Sequence, residues 1–119
     1  MGQNRAYEPS PAELWVAPVV TLTSTVVETT LRAISSVDKT MYVEHIAAIN
    51  TSAVAMNLII RDGNAGTIID RIQLGAGADA QRIYGRRGRR LTKGANLRVE
   101  CSAAVASVFV SANGHELGV

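Results

Sequence analysis

Ile60-Arg61-Asp62-Gly63-Asn64-Ala65-Gly66-Thr67-Ile68 sets a cluster of turn-forming residues between two apolar-rich flanks. Asp, Asn and Gly tolerate positive φ at low steric cost, so this stretch reads as a β-hairpin. Outward from it, the chain from Val16 onward is a series of short segments rich in Val, Ile, Thr and Ala. Turn residues return about every 8 to 12 positions, and no helical period is sustained. Further breaks fall at Gly75-Ala76-Gly77 and Lys93-Gly94-Ala95-Asn96. The strands predicted from this pattern are 16–22, 25–34, 40–50, 55–61, 66–74, 79–84, 96–101 and 105–111. The fold class is therefore all-β, an eight-stranded antiparallel β-sandwich. A jelly roll is the leading topology and a seven-stranded immunoglobulin-like sandwich its rival. Connectivity does not follow from the pattern.

Parity within these segments separates core from surface. Leu97-Arg98-Val99-Glu100-Cys101 alternates cleanly, and Cys101 falls on the Leu97 and Val99 side. In 25–34, Val27 and Leu31 alternate with Glu28, Thr30 and Arg32. Other segments are apolar on both faces. Ile59 and Ile69 sit on the opposite parity from their neighbours, and Val105 and Phe109 oppose Val108 and Val110. Such strands need a second cover, either another copy of the chain or a partner protein. A β-bulge that shifts parity is the alternative.

The chain has 119 residues, 47% apolar and 18% charged, which fits one folded domain. Aromatics are only 4%, so Val, Ile, Leu and Ala must build the core. No apolar run approaches the roughly 20 residues of a membrane-spanning helix. The first fifteen residues, MGQNRAYEPSPAELW, are polar and carry Glu8 and Glu13, unlike a secretion signal. Residues 1–15 read as an N-terminal arm and 16–119 as the sandwich domain. Ser10-Pro11-Ala12-Glu13 resembles a capping box that starts one short turn. The arm either orders against another surface or frays. Cys101 is the only cysteine. It reads as a small buried hydrophobe in a protein folded in a reducing cytoplasm.

The sequence carries no catalytic or metal-binding pattern. His45 and His115 have no second ligand at metal spacing. Glu44 adjoins His45, but neighbouring strand residues point to opposite faces. Gly75-Ala76-Gly77-Ala78-Asp79 lacks the following helix of a phosphate loop. The expectation is a binding protein, not an enzyme, with no catalytic residues, metal or cofactor. Its most distinctive string is Gly85-Arg86-Arg87-Gly88-Arg89-Arg90. Setting Arg86, Arg87, Arg89, Arg90 and Lys93 aside, twelve basic residues fall to seven against ten acidic ones. The basic character is local. Guanidinium pairs with carboxylates of a protein and with phosphates of a nucleic acid alike, and a solvated loop is the third reading.

From about Val19 to the end, the chain resembles the small jelly-roll capsid-decoration, or cement, proteins of tailed phages. The resemblance is carried by Ile49-Asn50-Thr51-Ser52-Ala53 and the hairpin quoted above. Leu91-Thr92-Lys93-Gly94-Ala95-Asn96-Leu97-Arg98-Val99 and the final Ala/Ser/Val strand add to it. It implies a homotrimer on the outer capsid surface that clamps major capsid protein subunits through the sandwich base and the arm. No functional residue transfers individually. Partner contacts are expected at Tyr7, Pro9, Pro11 and Trp15 of the arm and at Arg86, Arg87, Arg89 and Arg90. Two other classes compete. One is a tail, fibre or head-spike module that binds a glycan through Tyr7, Trp15, Tyr42, Tyr84 or Phe109. The other is a nucleic-acid-binding domain that uses Arg86 to Arg90.

Overall fold

The computed structural model describes residues 12–23, 28–103 and 107–118. It is all-β, with nine strands among the described residues. They are β1 (Glu13–Leu22), β2 (Thr29–Arg32), β3 (Thr40–Asn50), β4 (Met56–Asp62), β5 (Thr67–Leu74), β6 (Asp79–Ile83), β7 (Arg89–Arg90), β8 (Leu97–Cys101) and β9 (Val108–Leu117). One sheet runs β1-β9-β3-β6, with β7 also paired to β3, and the other runs β2-β8-β4-β5. All these pairs are antiparallel. With the two-residue β7 set aside, two four-stranded layers face each other in an order compatible with a jelly roll.

The strands lie where alternation and turn chemistry put them, with four departures. β1 begins at Glu13, so it takes in residues assigned to the arm. β2 keeps only four residues of the predicted 25–34, part of which lies outside the described residues. β9 continues to Leu117, well past 111. β7 has no period-two signature because it is two arginines long. The hairpin between β4 and β5 forms at the quoted turn, with Gly63 and Ala65 at positive φ. Gly66 is required there, because a Cβ would stand 1.8 Å from the Asp62 carbonyl oxygen.

The core lies between the sheets. Met41, Val43, Ile46, Leu58, Ile60, Leu97, Val99, Val108 and Val110 are fully enclosed. Each contributes roughly 1.5–3 kcal/mol of burial free energy. The parity question in the last strand is thereby answered: Val108, Val110 and Ala112 face inward, and Phe109 faces outward. Polar ties close the sandwich edges. Asp70 of β5 accepts from Arg82 Nε at 2.8 Å and from the Tyr84 hydroxyl at 2.6 Å, which joins one sheet to the other. Buried Asn50 donates to the carbonyls of Val54 and Gly75, and its side-chain oxygen accepts from Ser52. That network pins the β5–β6 connection to the end of β3.

Candidate interaction surface

The two outer faces of the sandwich differ in kind. On β2-β8-β4-β5 four charged side chains pair with one another, and Arg71 stands exposed. Arg98 pairs with Glu28 at 3.1 Å and donates to the Thr30 hydroxyl. Arg61 pairs with Glu100 at 2.6 Å and donates to the Gly66 carbonyl at 2.8 Å. Glu28 also caps the hairpin by accepting from the Ala65 amide. Partial burial pushes the Glu28 carboxyl upward, but that amide and the Arg98 guanidinium outweigh it, so its pKa falls below the ordinary value. Ile59, the residue of opposite parity, is half-buried beside this ladder.

The outer face of β1-β9-β3-β6 is open and carries exposed aliphatic side chains among polar ones. Register sets Val16, Asn113, His45 and Ile83 in one row across the four strands. Leu14, His115, Tyr42 and Arg90 form a second row, and Thr21, Phe109, Ile49 and Asp79 a third. Leu14 is 83% exposed, Val16 77% and Ile83 72%. Val19, Ile49 and Phe109 are also exposed. Large aliphatic side chains gathered on one face differ from the scattered apolar residues of an ordinary surface.

A bulge shapes the middle of this face. Val43 pairs with Gly114 and His45 with Asn113, so Glu44 is the extra residue. The bulge cancels the strict alternation expected at Glu44-His45. The Glu44 carboxylate meets His115 Nδ1 at 2.8 Å on the outer side. The His115 ring stacks on Tyr42, with centroids 4.9 Å apart and planes 8° from parallel. His45 meets the Gln81 amide at 2.9 Å. Glu44, His45, Ile83, Gly85, Arg86 and Asn113 line a shallow pocket of about 360 Å³. Among the described residues, no group of three or more His, Cys, Asp or Glu side chains could hold a metal ion.

The expected contact residues separate into three sets. Tyr7, Pro9 and Pro11 lie outside the described residues. Trp15 belongs to β1 and is only 5% exposed. It is therefore a core residue of the strand in this fold, because its ring fills the space that Gly114 leaves open. A Cβ at Gly114 would come within 2.8 Å of that ring. The Arg32 guanidinium covers the ring from 5.7 Å. Arg86, Arg87, Arg89 and Arg90 are all exposed and stand together at one end of the apolar face. Gly85 and Gly88 both have positive φ, and the Gly88 amide donates to the Gly85 carbonyl at 3.1 Å. The four arginines thus sit on a tight turn followed by a paired strand. Of the aromatics suited to sugar stacking, Trp15 is buried and Tyr84 is tied to Asp70. Burial, with the Asp70 hydrogen bond and charge, pushes the Tyr84 phenol well above its ordinary range.

No family model and no curated protein matches this chain. One solved structure, described as Bacillus endospore appendages forming a novel family of disulfide-linked pili, aligns with a TM-score of 0.49. The alignment covers 94% of each chain at 11% identity. A likeness of this size bears on neither activity nor partners.

The bulge at Glu44 and the inward Trp15 carry no mark in the sequence. The signal that did exist was the excess of apolar residues on both parities. It pointed to a covered outer face without saying which strands would share it.

Proposed function

We propose that this chain is a structural component of a larger particle. The specific form is a capsid-decoration protein that sits on the outer surface of a viral head and binds major capsid protein as a trimer. The observation that carries this reading is the contrast between the two outer faces. One carries the ion pairs Arg61–Glu100 and Arg98–Glu28, and the other exposes Leu14, Val16, Val19, Ile49, Ile83 and Phe109. An apolar face in a domain this small is covered most economically by protein. On a shell, that cover adds buried area across the joints between subunits and so stabilises the assembled state.

The test is the molar mass in solution, by light scattering behind a sizing column, at low and high salt. A trimer that persists at high salt supports the reading, since apolar contacts are not screened. A monomer at high protein concentration counts against the trimer. Co-sedimentation with purified capsid shells then tests the partner, and failure to co-sediment removes the decoration role.

A further inference from the structure

We infer that the arginine turn and the apolar residues beside it form a docking surface for an acidic protein surface on a different chain. This rests on the particle reading for the presence of such a chain, though not for the trimer.

The charge inventory of the described residues favours a different chain over a second copy as the partner. Among the described residues, Glu13, Glu28, Glu44, Asp62, Asp70, Glu100 and Glu116 all accept hydrogen bonds or ion pairs within the fold. Asp38 and Asp79 are left. Arg86, Arg87, Arg89 and Arg90 have no carboxylate partner among the described residues. The described residues of a second copy thus offer two carboxylates without an internal partner for these four guanidinium groups. An acidic surface on another chain supplies the fuller complement.

The turn holds these arginines in place. β7 pairs Arg89 with Val43 and Arg90 with Tyr42. The Leu91 amide donates to the Met41 carbonyl and anchors the segment to the sheet. Less side-chain and loop ordering then remains to be lost when a partner binds.

The neighbours decide between protein and nucleic acid. Ile83 and Arg86 line one pocket, and the row that starts at Arg90 runs through Tyr42 and His115 to exposed Leu14 at the far edge of the sheet. Phosphate contacts make no use of exposed Leu and Val, whereas protein interfaces combine an apolar centre with arginine. Four strands at ~4.8 Å spacing and ten residues at ~3.3 Å rise give a face of roughly 600 Å². With the turn added, that approaches the ~800 Å² each partner gives to a standard interface.

The test is fluorescence anisotropy with the full chain and three labelled probes. They are a peptide of about twelve alternating Glu and Leu residues, an oligoglutamate of equal charge, and a thymidine oligonucleotide of equal charge. The Glu/Leu peptide should bind tightest. Combining Arg86→Gln, Arg87→Gln, Arg89→Gln and Arg90→Gln should weaken it at least about tenfold, since guanidinium–carboxylate bonds are strong charge-assisted ones. Combining Leu14→Ser and Val16→Ser should weaken the same peptide about fivefold and leave oligoglutamate unchanged. Undiminished binding by the arginine variant overturns the inference, and so does absence of peptide binding. Tighter binding of the oligonucleotide also overturns it and makes the turn a phosphate site. Molar mass is measured on the same samples. A monomer that binds the peptide refutes the trimer and leaves this inference standing. A trimer that ignores the peptide does the reverse, and one that dissociates when the arginines are replaced makes the turn a contact between copies, which overturns the inference.

Discussion

Replacing Glu116 should be among the most damaging single changes in this domain. Its side chain is 1% exposed. One oxygen accepts from Arg32 Nη2 at 2.9 Å and from the Ser35 amide at 3.3 Å, and the other accepts from the Ser35 hydroxyl. Arg32 already has a buried Nε without a partner. Glu116→Ala therefore leaves a guanidinium with its ring contact to Trp15 and no counter-charge. Breaking a fully buried pair costs about 3–5 kcal/mol. The Arg32 side chain is 30% exposed, so water recovers part of that, and about 2–3 kcal/mol is the expected loss. For a domain of this size that lowers Tm by about 10–20 °C. Urea unfolding monitored by Trp15 fluorescence, with a midpoint shift above about 1 M, measures it directly. Adding Arg32→Met should recover much of the loss, because the stranded charge is then gone and an aliphatic stem still covers Trp15. A single variant within about 0.5 kcal/mol of the parent would refute the reasoning. So would a double variant no more stable than the single one.

Gly88→Ala should cost about 1–2 kcal/mol and loosen β7, because φ is +74° and the new Cβ would stand 3.0 Å from Tyr42 Cβ and 3.1 Å from the Val43 carbonyl. Hydrogen exchange at the Leu91 amide would report the loosening. Glu28 has a lowered pKa in the fold, so its contribution is present at neutral pH and lost as pH falls through that value. The stability gap between the parent and Glu28→Gln should thus narrow below about pH 4.5, read from urea midpoints at each pH. Cys101 is buried, and burial with the neighbouring Glu100 charge pushes its thiol pKa up. A thiol reagent at pH 8 should label it only when denaturant opens the sandwich; rapid labelling of the native protein would contradict the burial. Combining Ile49→Ser and Phe109→Ser, at the end of the apolar face away from the arginines, should weaken the proposed trimer at least about tenfold. An unchanged sedimentation profile on dilution would place the copy contact elsewhere.

Much of the sandwich was legible along the chain. The β4–β5 hairpin could be read at Asp62-Gly63-Asn64-Ala65-Gly66 because positive φ is a property of single residues. Strand positions followed from period-two alternation, which is equally local. The arginine string was visible for the same reason, since its residues are neighbours in sequence. Arm and strand were misdivided at Trp15, because nothing near position 15 announces that Gly114, 99 residues on, leaves room for its ring.

The sequence by itself therefore determined the β class, the turns and the presence of more apolar surface than one core could use. Only the tertiary structure decided where that surface lies. It turned Phe109 out and Val108 in, set the bulge that brings Glu44 to His115, and put Ile83 beside the arginines with Leu14 and Val16 across the same sheet. It also closed the opposite face with pairs such as Arg98–Glu28, 70 residues apart. The physical reason is one of range. Dihedral preference and side-chain alternation act within a few residues, whereas register, bulges and charge pairing exist only once distant strands lie side by side.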